Sequence, residues 1–432
     1  MRLTFALLLA LLALAAPARA AGPQIGIADD RILLAGGPTA DKAVAEWQRL
    51  GVQQVRIYAL WNRIAPSRPA GDYSWSALDH AVALVTTAGM KPLLTITGPG
   101  PVWTSRHPRR RDPRYDPDPK LYAQFARMVA ERYADRVDRY VLWNEPNLSG
   151  WLRPQATCKR GRCTTVGPHL YRALARGAYA AVHAADPRAQ VLIGAMSSRG
   201  SDLRRPTSNQ RPLAFLRGLA CVDARYHRLH GGRCKKFKPL KADGFALHPH
   251  GILTPPWQAF GNPDDVGIAS LSRLTGALDR LQRMHRLKVT TRRFNLYIDE
   301  FGYQTRPPDV FAGVSLKRQD KWLQYAAYQA WRNPRVKLFS QYLWRDEPNS
   351  RSNSVFGGWQ SGLRFASGRA KPSLKHFATP FVVDAARRRL WGQVRRRDAR
   401  TVEGQRRARG SKRWRTIGRR RTDGEGYWSW RT

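Results

Sequence analysis

Acidic residues are scarce in this chain: 31 Asp and Glu stand against 75 Lys and Arg over 432 residues, a formal charge of +44. That balance rules out an acidic, solvating chain. It invites a polyanion-binding reading, set against an arginine-rich solvated surface on an ordinary globular protein. Cysteine is also rare, at 4 in the whole chain, which together with the length excludes a miniature disulfide scaffold. Past the N-terminus no apolar run approaches the ~20 residues that a spanning helix needs. No Gly-rich phosphate loop follows the first candidate strand. None of the named nucleic-acid reader motifs occurs, so no nucleic-acid partner is expected. What is present can build a core. The chain is 42% hydrophobic with 15 Trp, 15 Tyr and 14 Phe, too much apolar material for disorder to be its main state.

The N-terminus reads as a secretory signal. Arg2 supplies the positive end, Leu3 to Ala16 is an unbroken apolar run, and Ala18-Arg19-Ala20 is an A-x-A cleavage site. The run is too short for a good membrane anchor. Residues 1–20 are therefore expected to be removed, and the remainder to be secreted. The cysteines suit that compartment. Cys158 and Cys163 flank a short polar stretch, and Cys221 and Cys234 bracket a second one. The sequence-local pairing, 158–163 with 221–234, is expected. A zinc site is the rival, but its two-residue cysteine spacing is missing and exported thiols oxidise.

Between about residues 25 and 380, short β-branched, aromatic or leucine-rich runs alternate with amphipathic stretches. The predicted strands are Gln24–Ile27, Gln54–Ala59, Lys91–Thr97, Arg139–Trp143, Gln190–Ala195, Gly244–His248, Asn295–Ile298 and Lys337–Trp344. The predicted helices are Ala40–Leu50, Ser76–Ala88, Lys120–Ala134, Leu170–Ala185, Pro212–Val222, Ser270–His285 and Leu316–Trp331, with Pro372–Phe377 as an eighth. Eight strands each followed by a helix predict an α/β (β/α)8 TIM barrel over residues 21–380; a doubly wound sheet is the alternative. Residues 381–432 differ in composition. From Ala385 onward, 17 Lys and Arg against 4 Asp and Glu leave +13. Four short strands are predicted there, Arg389–Val394, Thr401–Arg406, Trp414–Arg419 and Gly426–Arg431, with a turn at Thr422-Asp423-Gly424. The segment is read as a basic β-rich extension, either a truncated module or a piece packed on the barrel, against a disordered basic tail.

Barrel chemistry sits at the C-terminal ends of the strands. There, two glutamates stand just past predicted strands four and seven, in Leu142-Trp143-Asn144-Glu145-Pro146-Asn147 and Tyr297-Ile298-Asp299-Glu300-Phe301-Gly302. Paired carboxylates suit glycoside hydrolysis, in which one protonates the leaving oxygen and the other attacks the anomeric carbon. An Asn before the acid can bond a sugar hydroxyl, and the Pro after it stiffens the loop.

These two motifs resemble the acid/base and nucleophile motifs of clan A glycoside hydrolases, families 5 (cellulase-like) and 39 (xylosidase-like). The resemblance covers about residues 25 to 380 and implies a barrel that retains anomeric configuration without a cofactor or metal. It implies Glu145 as acid/base, Glu300 as nucleophile and Asn144 as the contact to the 2-hydroxyl. Arg56, in Val55-Arg56-Ile57-Tyr58, matches the strand-two arginine that keeps the nucleophile ionised in the clan. Phe245-Ala246-Leu247-His248-Pro249-His250 is similar to a His-Pro-Tyr element on strand six. His248 matches, but His250 stands where Tyr is common, so either His250 substitutes or Tyr303 reaches in. Trp344 resembles the platform under the reactive sugar. Trp103 and Trp61 are further platform candidates. Asp112, Asp116 and Asp118 have a faint calcium-like spacing, but a solvated loop is expected.

Two functions compete. The first is a secreted, monomeric, retaining β-glycosidase acting on a poly- or oligosaccharide. The second is a non-catalytic secreted binder that holds an anionic cell-wall or extracellular polysaccharide on its basic surface. The intact glutamate motifs favour the first, and the two coexist if the tail anchors while the barrel cuts.

Overall fold

The computed structural model describes residues 22–65, 67, 73–348, 358–395 and 400–431. The predicted signal segment, residues 1–20, lies outside them. Eight parallel strands close into a barrel: β1 (Gln24–Ala28), β2 (Gln54–Leu60), β3 (Lys91–Thr97), β4 (Arg139–Leu142), β5 (Gln190–Ser197), β6 (Gly244–His248), β7 (Leu296–Phe301) and β8 (Val336–Tyr342). The neighbours run in sequence order, with β8 pairing back onto β1. This is the expected (β/α)8 barrel. Its main helices are α1 (Gly37–Arg49), α2 (Ser76–Thr87), α3 (Pro119–Tyr133), α4 (Gly167–Ala185), α5 (Pro212–Leu219), α6 (Leu271–Arg283), α7 (Leu316–Arg332) and α8 (Pro372–Phe377).

Local chemistry explains these elements. Asp118 caps α3 by accepting from the Lys120 and Leu121 amides at 2.7 and 3.3 Å, with Pro119 at the first helical position. Tyr122, Phe125, Ala126, Val129, Ala130 and Tyr133 then recur at spacings of three and four and are all buried. Strand residues alternate faces. Val55, Ile57 and Ala59 of β2 pack toward the helices. A separate cluster draws side chains from six consecutive strands: Leu93, Val141, Leu192 and Ala195 (both on β5), Ala246, Tyr297 and Leu338. This is the layered filling of a barrel interior. Gln54, Arg56 and Tyr58 occupy the positions of β2 that alternate with the helix-facing ones, and this places arginine and tyrosine side by side inside the barrel.

The C-terminal segment forms strands β9 (Phe381–Asp384), β10 (Arg389–Gln393), β11 (Thr401–Arg406), β12 (Arg415–Arg421) and β13 (Tyr427–Arg431). β9, β10 and β13 make an antiparallel sheet; β11 and β12 make a separate hairpin. The sheet packs on the barrel. Trp391 is fully buried with its ring 5.5 Å from Tyr328 and 5.9 Å from Trp331 of α7, and the Tyr427 hydroxyl donates to the Pro23 carbonyl at 2.7 Å. β9 has no counterpart among the predicted strands. Among the described residues no helix is long and apolar enough to cross a membrane.

Both disulfides have the sequence-local pairing, Cys158–Cys163 and Cys221–Cys234. The first links facing positions of a hairpin formed by residues Ala156–Lys159 and Arg162–Thr165. The zinc alternative is thereby removed, since all four thiols are bonded.

Candidate active site

Glu145 sits three residues past β4 on a tightly held bend. The Trp143 amide donates to Ile96 O and the Glu145 amide to Ala195 O, both at 2.9 Å, so the bend is pinned between β3 and β5. Trp143 (φ 70°) and Glu145 (φ 38°) both adopt the left-handed region. That is costly for residues with side chains, and such strain concentrates where side chains must be aimed. Trp143 fills the floor of the bend against Gly98, where an added Cβ would lie 2.3 Å from the indole ring. Asn147 locks the far side: its Oδ1 accepts from the Ser197 amide at 3.0 Å and its Nδ2 donates to Gln210 O at 2.9 Å. Asn144 is buried, and its Oδ1 has no hydrogen-bond partner among the described residues. An acceptor left open in this way is ready for a hydroxyl donor.

Glu300 differs from the expectation in one respect: it lies within β7, not beyond it. Simple alternation would send Asp299 and Glu300 to opposite faces. The pairing of β7 with β8 shifts register between Ile298 and Phe301, and both carboxylates come within reach of one imidazole. His248 Nε2 is 3.5 Å from Asp299 Oδ2, and His248 Nδ1 is 3.7 Å from Glu300 Oε2. The same Nδ1 lies 3.1 Å from Glu145 Oε1. His248 therefore joins the two predicted catalytic glutamates, whose nearest oxygens can be no farther apart than those two distances end to end, roughly 7 Å.

Arg56 is buried and bridges two carboxylates. Its Nη2 forms a short ion pair with Glu300 Oε1, and its Nη1 pairs with Asp30 Oδ2 at 3.1 Å. The Tyr58 hydroxyl donates to Glu300 Oε1 at 3.1 Å, and the Tyr58 ring centroid lies 4.0 Å from the Arg56 guanidinium carbon. Burial pushes the Glu300 carboxyl up. The Arg56 guanidinium, then His248 and His250, outweigh it, so Glu300 is held well below the usual carboxylate range. Burial works against the charged form of His248, but Glu300 and Asp299 prevail and raise it well above an ordinary histidine. Burial lifts Asp30 to about 6 despite Arg56.

His250 fills the place where Tyr is usual. Its Nε2 is 3.6 Å from Glu300 Oε2, and its Nδ1 accepts from the Gly302 amide at 3.2 Å. Tyr303 does not reach in. Its hydroxyl donates to Thr254 O at 3.0 Å, and its ring packs edge-on against Trp322 in the core. Trp344 is not at the site either. It lies two residues beyond the end of β8, buried edge-on against Trp47 with Arg364 over its ring. Tyr342, the last residue of β8, is the aromatic that faces the cluster, with its ring centroid 5.9 Å from the Arg56 guanidinium carbon and 6.0 Å from His250. Trp359, 43% exposed, stacks on His250 at 5.8 Å. Trp61 is core, stacked on Phe125. Trp103 sits half-buried on a short 3-10 turn, Val102–Thr104, past β3. The three loop aspartates are structural. Asp112 accepts from Arg114 and Arg153, Asp116 pairs with Arg106 and His107, and Asp118 caps α3.

Sequence reasoning missed Tyr58, Asp30, Asp299 and Tyr342. Tyr58 carried a readable signal, two residues from Arg56 on the same strand face. His248, His250 and Glu300 present ligand atoms within 4.8 Å of one another, but a cation there would meet the Arg56 guanidinium already on that carboxylate.

The chain matches no protein-family model and no curated protein sequence. Solved structures do resemble it. A family 39 glycoside hydrolase from Bacteroides cellulosilyticus WH2 is 15% identical over 88% of this chain and 72% of that one, with a TM-score of 0.57. GH5_18 from Streptomyces cattleya, in complex with GlcNAc, is 17% identical over 83% of this chain and 81% of that one, at 0.53. Xylanase B from Clostridium stercorarium F9 is 14% identical over 82% and 96%, at 0.51. The barrel fold is the one these enzymes share. At such identities the likeness concerns the fold, and chemistry has to be argued from the side chains.

Proposed function

We propose that the protein is a secreted retaining β-glycosidase that hydrolyses O-glycosidic bonds of a poly- or oligosaccharide through Glu300 and Glu145. The observation that carries this is the shared imidazole: His248 Nδ1 stands 3.1 Å from Glu145 Oε1 and 3.7 Å from Glu300 Oε2. The resulting bound of roughly 7 Å between the nearest carboxylate oxygens leaves room for the ~5–5.5 Å of retaining enzymes and excludes the wider end of the inverting range.

The roles follow from the surroundings. Glu300 takes the ion pair of Arg56 and the hydroxyl of Tyr58, so it stays an anion and serves as nucleophile. Glu145 carries no arginine contact among the described residues and is partly open to solvent; it serves as acid/base. Glu300 attacks the anomeric carbon while Glu145 protonates the departing oxygen. Glu145 then takes a proton from water, whose oxygen attacks the same carbon and frees the sugar from Glu300. Asn144 Oδ1 holds the 2-hydroxyl, and Tyr342 and Trp359 wall the site with aromatic faces suited to sugar C–H surfaces. That the structural neighbours include a xylanase and an enzyme solved with GlcNAc supports a carbohydrate substrate of this general kind.

The test is Glu300→Gln against aryl β-glycosides, with product anomers read by NMR. The variant should fold normally and lose at least ~10³ in kcat, and the wild type should release the β-anomer first. Unchanged turnover in the variant, or an α-anomer released first, would overturn the assignment. Tight binding of acidic glycans with no turnover on any glycoside would favour the non-catalytic binder.

A further inference from the structure

A cavity lies at the other end of the barrel from Glu300. Its volume is ≈ 610 Å³. Pro23, leading into β1, and Val336, opening β8, both line it. It is therefore at the N-terminal ends of the strands, where the barrel meets the C-terminal sheet. One wall is the end of α7 and the loop after it, with Trp331, Arg332 and Asn333; the other is the C-terminal sheet, with Arg387, Arg389 and Arg431.

Four guanidinium groups around one hollow call for counter-charge. Arg387 has it, from Asp384 at 3.0 Å. Arg332, Arg389 and Arg431 make no ion pair among the described residues. Their anchors are neutral: Arg389 Nη1 donates to Ser429 Oγ, and Arg332 Nη1 to Gln329 Oε1, each at 3.0 Å. Ordinary surface arginines splay into water. Here three arginines without an acidic partner among the described residues line one concavity, where the fields of like charges add. The volume falls within the ~300–1,000 Å³ of small-ligand sites, too confined for a nucleic-acid duplex.

We infer that this cavity binds an anionic oligosaccharide, a sugar chain bearing carboxylate or sulfate groups, independently of the catalytic mouth. Guanidinium forks match the paired oxygens of both groups. Half-buried Trp331 lines the same hollow, stacked on Tyr328 at 6.0 Å and 5.9 Å from the Arg389 guanidinium carbon, so apolar surface adjoins the charges, as a sugar chain with both apolar and charged groups requires. Because α7 and the C-terminal sheet build the cavity together, the basic extension acquires a defined role, which is to hold an acidic chain on the side of the barrel away from Glu300.

Calorimetry on the full chain tests this, with a heparin-derived tetrasaccharide and an oligogalacturonate as probes. Cellotetraose, inorganic sulfate and a ten-nucleotide oligothymidylate are the comparisons. The Arg332→Ala/Arg431→Ala variant alters two exposed side chains and should fold with an unchanged Tm. It should bind the acidic probes at least about tenfold more weakly, the loss of two charge-assisted contacts. The charge-matched Lys42→Ala/Arg49→Ala variant, on exposed positions of α1, should bind as the wild type does. Glu300→Gln should also bind normally, which separates this site from the fate of the catalytic proposal. Equal weakening in both double variants would reduce the effect to diffuse surface charge and overturn the inference. So would equal affinity for cellotetraose, equal affinity for inorganic sulfate, or tighter binding of the oligothymidylate.

Discussion

Replacing Arg56 with Met tests the electrostatic core of the site. The methionine keeps much of the side-chain volume and removes the charge. Arg56 is 1% exposed and serves two buried carboxylates, Glu300 and Asp30. Removing one partner of a buried pair costs about 3–5 kcal/mol. At roughly 2 °C per kcal/mol for a large domain, Tm at pH 7 should fall by about 6–10 °C. The sign with pH is fixed by direction. Glu300 is depressed in the folded protein, so its pairing stabilises above the unfolded glutamate value of about 4.3 and is lost as pH falls through the folded one. The gap between wild type and variant should therefore be widest near neutrality and narrow as pH falls, first as Asp30 protonates near 6 and then as Glu300 does below the unfolded glutamate value. In the variant the largest charge opposing burial is gone, and the acidic limb of kcat/KM should move up. Adding Asp30→Asn removes one stranded carboxylate and should recover part of the Tm without restoring the limb. Thermal melts and pH–rate profiles of the three proteins give the answer. An unmoved limb in Arg56→Met would refute the account of how Glu300 stays ionised.

Two further outcomes are expected. Tyr342→Ala should cost activity with little loss of stability, whereas Trp344→Ala should lower stability by about 3–5 kcal/mol through a core cavity; steady-state kinetics beside thermal melts separate them, and the reverse pattern would restore Trp344 as the platform. Burial raises Asp29 to about 7, against hydrogen bonds from the Arg345 and Ile32 amides. A carboxyl raised in this way stabilises the fold at low pH and loses that contribution as pH climbs from about 4 to 7, at up to ~1.4 kcal/mol per unit of displacement. Asparagine can also cap the short helix that follows, so Tm of Asp29→Asn relative to wild type should rise between pH 5 and 8, and a flat difference would show Asp29 to be an ordinary carboxylate.

The barrel was legible in the sequence because its elements are local. Apolar spacing predicts a helix over Lys120–Ala134 where α3 runs Pro119–Tyr133, and β3 and β6 fall where predicted, since period and turn chemistry act within a few residues. The Asn144-Glu145 motif and Glu300 were legible for the same reason, as was the local pairing of Cys158 with Cys163 and Cys221 with Cys234. Tertiary structure alone decided which side chains meet. Asp299 and Glu300 share a side of β7 only because the register slips against β8, and pairing between strands is not encoded in either strand by itself. Sequence points to Trp344 as the platform; the position at which β8 ends instead puts Tyr342 at Arg56 and Trp344 against Trp47. Asp30 lies 26 positions from Arg56, and Glu300 lies 244. Only closure of the barrel brings them onto one guanidinium, and only there does burial turn a surplus of +44 into one placed charge that holds a carboxylate ionised.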